Sequence, residues 1–113
     1  MDTKTLKFRD HLAELVLAGE KDVTWRLFDD KNLAHGDLVD LVNWDTREIF
    51  ARAELIKVYE KRMGDLEEAD FVGHEKFANE EEMYKTFRTY YGDRVGPDTI
   101  VKIIRFKLIQ NTT

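Results

Sequence analysis

The side chains with the most chemical capacity in this chain are gathered between positions 17 and 26, in Leu17-Ala18-Gly19-Glu20-Lys21-Asp22-Val23-Thr24-Trp25-Arg26. A lysine able to shed its proton activates a hydroxyl or a water, and an arginine fork grips a carbonyl, a phosphate or a base edge through paired hydrogen bonds. Lys21, Thr24 and Arg26 supply these groups at the junction of an expected helix and an expected strand. Thr24 and Arg26 share one strand face by parity, and the flexible Lys21 stem reaches that face from the turn before it. The same residue types also serve as ordinary surface features: a solvated turn lysine, and an arginine paired with Asp29 or Asp30.

Other residues carry two readings as well. Trp25 matches Val23 and Leu27 in parity, which favours the core, although an indole also stacks on a base. Trp44 falls in an expected hairpin turn, where it lines a rim or covers a barrel end. His11, His35 and His74 lack metal-ligand spacing, so no metal and no cofactor are expected. The Glu80-Glu81-Glu82 run reads as helix-start electrostatics rather than a calcium site. Arg9, His11 and Arg105 are candidates for added positive charge around a cleft.

The elements that must position these residues fit one domain, 1–113. At 113 residues, with 42% apolar and 12% aromatic side chains, the chain supports a single core. There is no cysteine, hence no disulfide and no thiolate metal site. No segment approaches the roughly 18 apolar residues that suggest a membrane span, and a cytoplasmic, membrane-free protein is expected. The net charge of −5 repels a long polyanion over much of the surface, so any nucleic-acid contact must be local. Residues 65–82 are acidic, whereas Lys102, Arg105 and Lys107 make the last expected strand basic.

Periodicity predicts a strand over 5–8, then a helix capped by Asp10 with apolar Leu12, Leu15 and Val16, ended by Gly19. Alternation predicts strands over 22–27, 38–43 and 48–61, with Trp44-Asp45-Thr46-Arg47 as the turn between the last two. In the long run the apolar face holds at Ile49, Ala51, Ala53 and Leu55, then shifts phase to Ile56 and Val58. That shift predicts a bulge or sharp bend able to curl the sheet. Residues 65–71 read as a short acidic helix or turn before Gly73. Asn79 opens a helix with a stripe of Met83, Phe87 and Tyr90 or Tyr91, ended by Gly92. A final strand over 99–109 places Ile100, Ile104, Phe106 and Leu108 inward.

The spacing Gly-x-Lys-x-x-Thr-x-Arg, filled by Gly19, Lys21, Thr24 and Arg26, resembles the signature of the ASCH family within the PUA-like superfamily. The resemblance extends to Phe8, Gly36-Asp37, the 66–73 stretch, Tyr90-Tyr91 and Phe106, and so covers about 6–108. It implies an α+β, PUA-like fold: a small, curled antiparallel β-barrel flanked by two to three helices, with a cleft beside the barrel. The family is associated with recognition of RNA or modified nucleosides. Within the family that the chain resembles, some small members are amidohydrolases that deacetylate acetylcytidine with a lysine, a threonine and a glutamate, some are linked to RNA cleavage, and others are binding modules. Lys21 and Thr24 match the first two catalytic positions. His74 aligns most directly with the third, and Glu75 stands one residue away. Asp22 departs from the small hydroxyl residue common after the lysine, and its carboxylate favours a protonated, anchoring Lys21.

Three functions follow as expectations. The first is binding of RNA or a modified nucleoside through Lys21, Thr24 and Arg26. The second is a metal-independent amidohydrolase, with Lys21 as base, Thr24 or a water as nucleophile, and Glu75 or His74 passing the proton to the leaving amine. The third is a non-catalytic interaction module. The sequence assigns no oligomeric state.

Overall fold

The computed structural model describes residues 4–28, 31–74 and 76–109. Its elements are β1 (Lys4–Phe8), α1 (Asp10–Leu17), β2 (Val23–Leu27), β3 (Leu38–Asn43), β4 (Ile49–Arg62), α2 (Glu80–Tyr91) and β5 (Ile100–Ile109). Two 3-10 turns, Met63–Asp65 and Glu68–Phe71, follow β4. The strands form one curled sheet in the order β1-β3-β4-β5-β2. The result is a curled half-barrel with two helices, consistent with the small α+β, PUA-like fold that was expected as a curled antiparallel barrel. One pairing departs from the antiparallel pattern: β1 runs parallel to β3, because α1 and β2 intervene before the chain returns beside it.

The curl has a local cause. Between Leu55 and Lys57 the pairing of β4 with β5 slips, leaving Ile56 as the extra residue, and a second slip occurs between Leu41 and Val42 on β3. The bend is where the phase shift placed it. Two expected inward residues are not inward, however: Ile49 is 60% exposed and Ile56 40%. Ile56 is turned out by the bulge itself, and Ile49 lies beyond the other slip. On β5, Ile100 is also exposed, while Ile104 and Phe106 are buried as expected.

Both faces of the sheet are covered. Leu6, Phe8, Leu41, Leu55 and Phe106 pack against Ala13 and Val16 of α1 in one cluster. Val23, Trp25, Val101 and Ile103 pack against Met83 and Phe87 of α2 in the other. Each fully buried aliphatic or aromatic side chain contributes about 1.5–3 kcal/mol, so these two clusters carry the fold. Asn79 caps α2 by accepting from the Glu82 N–H at 2.9 Å, as its position predicts. Asp10 does not cap α1. Arg9 is the N-cap, and the Asp10 N–H donates to Asp45 Oδ2 at 2.8 Å, so a carboxylate distant in sequence does the work. No helix among the described residues is long and apolar enough to cross a membrane.

Candidate functional site

The terminal strands of the sheet, β1 and β2, face each other across the open side of the half-barrel. Side chains span that seam in place of a ladder. Arg26 Nη2 donates to the Lys7 carbonyl at 2.8 Å, and Lys31 Nζ donates to the Thr5 carbonyl at 2.6 Å. The Arg26 guanidinium also lies over the Phe8 ring, 4.9 Å from its centre. The expected pairing of Arg26 with Asp29 or Asp30 lies outside the described residues.

A cavity of about 400 Å³ opens along the seam, bounded by β1, β2, α2, the turn carrying Trp44, and His74. Because β2 is an edge strand, both of its faces reach this space: Thr24 and Arg26 from one, Trp25 from the other. Lys21 is only 3% exposed, and its Nζ donates to the Val23 carbonyl at 2.8 Å. That bond brings the amine back along β2. The structure therefore gathers Lys21, Thr24, Arg26 and His74 on one cavity. Glu75 lies outside the described residues. Asp22 is directed to Arg105, 3.7 Å away.

His74 owes its place to Gly73, whose φ of +84° suits glycine and whose carbonyl accepts the N–H groups of Asp22 and Val23. The imidazole stacks on Trp25 at 4.1 Å between ring centres. Phe87 stacks on Trp25 at 5.8 Å, and Tyr91 on Phe87 at 6.3 Å. A ladder of nearly parallel rings thus forms one wall. Trp25 is buried, as its parity predicts, and also lines the cavity; its Nε1 has no hydrogen-bond partner among the described residues. The Thr24 hydroxyl likewise has no hydrogen-bond partner among them.

Charge on this surface runs against the chain as a whole. The described lining includes Lys7, Arg9, Lys21, Arg26 and Lys31 and no carboxylate, in a protein of net charge −5. Lys7 and Lys31 escaped the sequence reading. The signal for Lys7 was present, since alternation in Leu6-Lys7-Phe8 turns the lysine away from the core, but nothing local shows that β1 borders an open seam. Among the described residues no group of three or more His, Cys, Asp or Glu is placed to hold a metal ion.

This architecture recurs in solved structures. A DUF984 protein from Enterococcus faecalis V583 superposes with a TM-score of 0.77 over 96% of this chain and 81% of that one, at 18% identity. The ASCH domain from Lactobacillus crispatus JV V101 superposes with a TM-score of 0.70 over 93% of this chain and 79% of its own, at 17% identity. This chain has the ASCH-like fold. The ASCH protein of Zymomonas mobilis extends the likeness, with a TM-score of 0.63 and 14% identity over 91% of this chain and 65% of that one. No family model matches the sequence, and no curated protein does. At such identities the likeness is one of fold, and the function of this ASCH-like domain must be argued from its own cavity.

Proposed function

We propose that this ASCH-like domain binds a nucleoside unit of single-stranded RNA, or a modified nucleoside, in the seam cavity. The observation that carries the reading is the pairing of cationic, carboxylate-free described walls with a ladder of aromatic rings in an acidic protein. Rings of this kind stabilise a stacked base by about 1–3 kcal/mol. Lys21, Thr24 and Arg26 contact its polar edges or its phosphate. A buried donor left without a partner costs about 1–3 kcal/mol, so Trp25 Nε1 favours a ligand with a polar atom to match it. Fluorescence anisotropy with short RNAs at two salt concentrations, together with calorimetry on nucleosides, tests the proposal. Affinity that weakens with salt is expected. Absence of both RNA and nucleoside binding at low salt ends it.

A second reading draws on the burial of Lys21 and on its sharing one cavity with the Thr24 hydroxyl. In it the domain is an amidohydrolase for acetylcytidine or a similar small amide. Lys21 takes the proton from Thr24 or a water, and His74 or Glu75 returns one to the leaving amine. Incubation with acetylcytidine and chromatography of the products is the test. Turnover unchanged in Lys21→Ala would remove this mechanism.

A further inference from the structure

Three cationic side chains close on one indole ring at the mouth of the cavity. Arg47 Cζ lies 4.4 Å, Lys7 Nζ 4.7 Å and Arg9 Cζ 5.7 Å from the centre of the Trp44 ring. Charges of one sign gathered this closely repel, and the ring offsets only part of that repulsion. The carboxylate in the cluster, Asp45, has both oxygens engaged: Oδ1 accepts from Arg9 at 3.1 Å, and Oδ2 accepts the Asp10 N–H at 2.8 Å. Lys7 and Arg47 have no carboxylate partner among the described residues.

The turn that presents this cluster is firmly held. Asn43 Oδ1 accepts the N–H groups of Asp45 and Thr46, and its amide donates to Asp10 Oδ1 at 2.8 Å. The Trp44 N–H donates to the Phe8 carbonyl at 2.7 Å. Arg47 adopts φ +67°, a conformation in which glycine is the undemanding residue, so a guanidinium stands where the backbone alone would favour none. Trp44 and Lys7 also line the cavity.

We propose that Lys7 and Arg47, set against Trp44, form a phosphate subsite at the cavity mouth, so that the domain takes a nucleotide in preference to a free nucleoside. The proposal rests on the reading that the cavity receives a nucleoside. A phosphate supplies what Asp45, already engaged, does not offer Lys7 and Arg47: negative charge, and oxygens that accept from both an ammonium and a guanidinium fork. The phosphate is either the terminal group of a mononucleotide or a phosphodiester of RNA.

Calorimetric titration with each of the four ribonucleosides, its 5′-monophosphate and a short homo-oligoribonucleotide tests the subsite. A phosphorylated probe is expected to bind about tenfold more tightly than its nucleoside, the gain of one charge-assisted contact. Arg47→Gly should cut the ratio of phosphorylated to free nucleoside affinity about fivefold without harm to the fold, because glycine accepts the positive φ. Lys7→Ala should lower the same ratio, and Lys7→Arg should restore it. Gain with the monophosphate identifies a terminal phosphate, and gain with the oligomer alone identifies a phosphodiester; both support the subsite. Equal affinity for nucleoside and phosphorylated probes, or a preference that survives the Lys7→Ala/Arg47→Gly double variant, overturns it. Binding of none of the probes instead removes the nucleoside reading of the cavity, and the subsite with it.

Discussion

Arg26 Nη2 donates to the carbonyl oxygen of Lys7 at 2.8 Å, a side chain of one terminal strand closing on the main chain of the other. Lys31, in the segment after β2, donates likewise to the Thr5 carbonyl. The half-barrel is therefore sealed by long cationic side chains, which leave room beside them that a continuous ladder would fill.

Arg26→Ala removes this closure and the packing of the guanidinium on Phe8. A loss of about 1–3 kcal/mol is expected, read as a lowered midpoint of urea unfolding, together with weaker ligand binding. An unchanged midpoint would show that the seam does not depend on Arg26.

Thr24→Val separates function from folding. The hydroxyl has no hydrogen-bond partner among the described residues, and valine has nearly the same shape and suits a strand. Stability should stay within about 0.5 kcal/mol of the parent. Nucleoside affinity, or acetylcytidine turnover under the second reading, should fall. A variant that binds and turns over as the parent does would take Thr24 out of the site.

Gly73→Ala tests the positioning of His74. At φ +84° an alanine is strained, and its Cβ would lie 1.8 Å from Asp22 Oδ1, so the Asp22 side chain must move. A loss of about 1–3 kcal/mol is expected by thermal unfolding. Displacement of the imidazole from Trp25 should also change the tryptophan emission. A variant with parental stability and emission would refute this account of the turn.

Asp70 sets an acid limit to stability. Its carboxylate is buried, which opposes ionisation, but it accepts from the Glu67 N–H at 2.8 Å, Lys61 Nζ at 2.8 Å and the Tyr59 hydroxyl at 2.7 Å. The donors outweigh burial and hold its pKa below the ordinary 3.8. A carboxylate with a depressed folded pKa stabilises the fold above its unfolded pKa, and that contribution is lost as pH falls through the folded value. The opposite sign holds at high pH. Burial, then the bond to Asp70, pushes the Tyr59 phenol up to about 12, and the bond to Asp70 raises Lys61. Their contributions persist below the ordinary values of 10.0 and 10.5 and fade above them. Urea midpoints measured from neutral pH to pH 2.5 should show the parent's advantage over Asp70→Asn shrinking below about pH 4. A constant difference would contradict the assignment.

Much of the fold was legible because its signals are local. Strand β3 falls where alternation placed it, Asn79 caps α2, and the phase shift after Leu55 coincides with the slip in register. What misled were residues whose surroundings come from afar. Ile49 and Ile56 look inward by composition, yet bulges rotate them outward. The cap of α1 comes from Asp45, across the structure, and not from the adjacent aspartate.

The site divides in the same way. The spacing of Lys21, Thr24 and Arg26 and their helix-to-strand junction can be read directly from the chain, since parity and turn chemistry act over a few residues. Lys7 and Lys31 reach the cavity only because β1 and β2 end up as opposite edges of one curled sheet. Strand order depends on which distant segments pair, a sum over many weak contacts that no short window of sequence contains. So the sequence determined the reactive groups, and tertiary structure alone decided that they surround a common space.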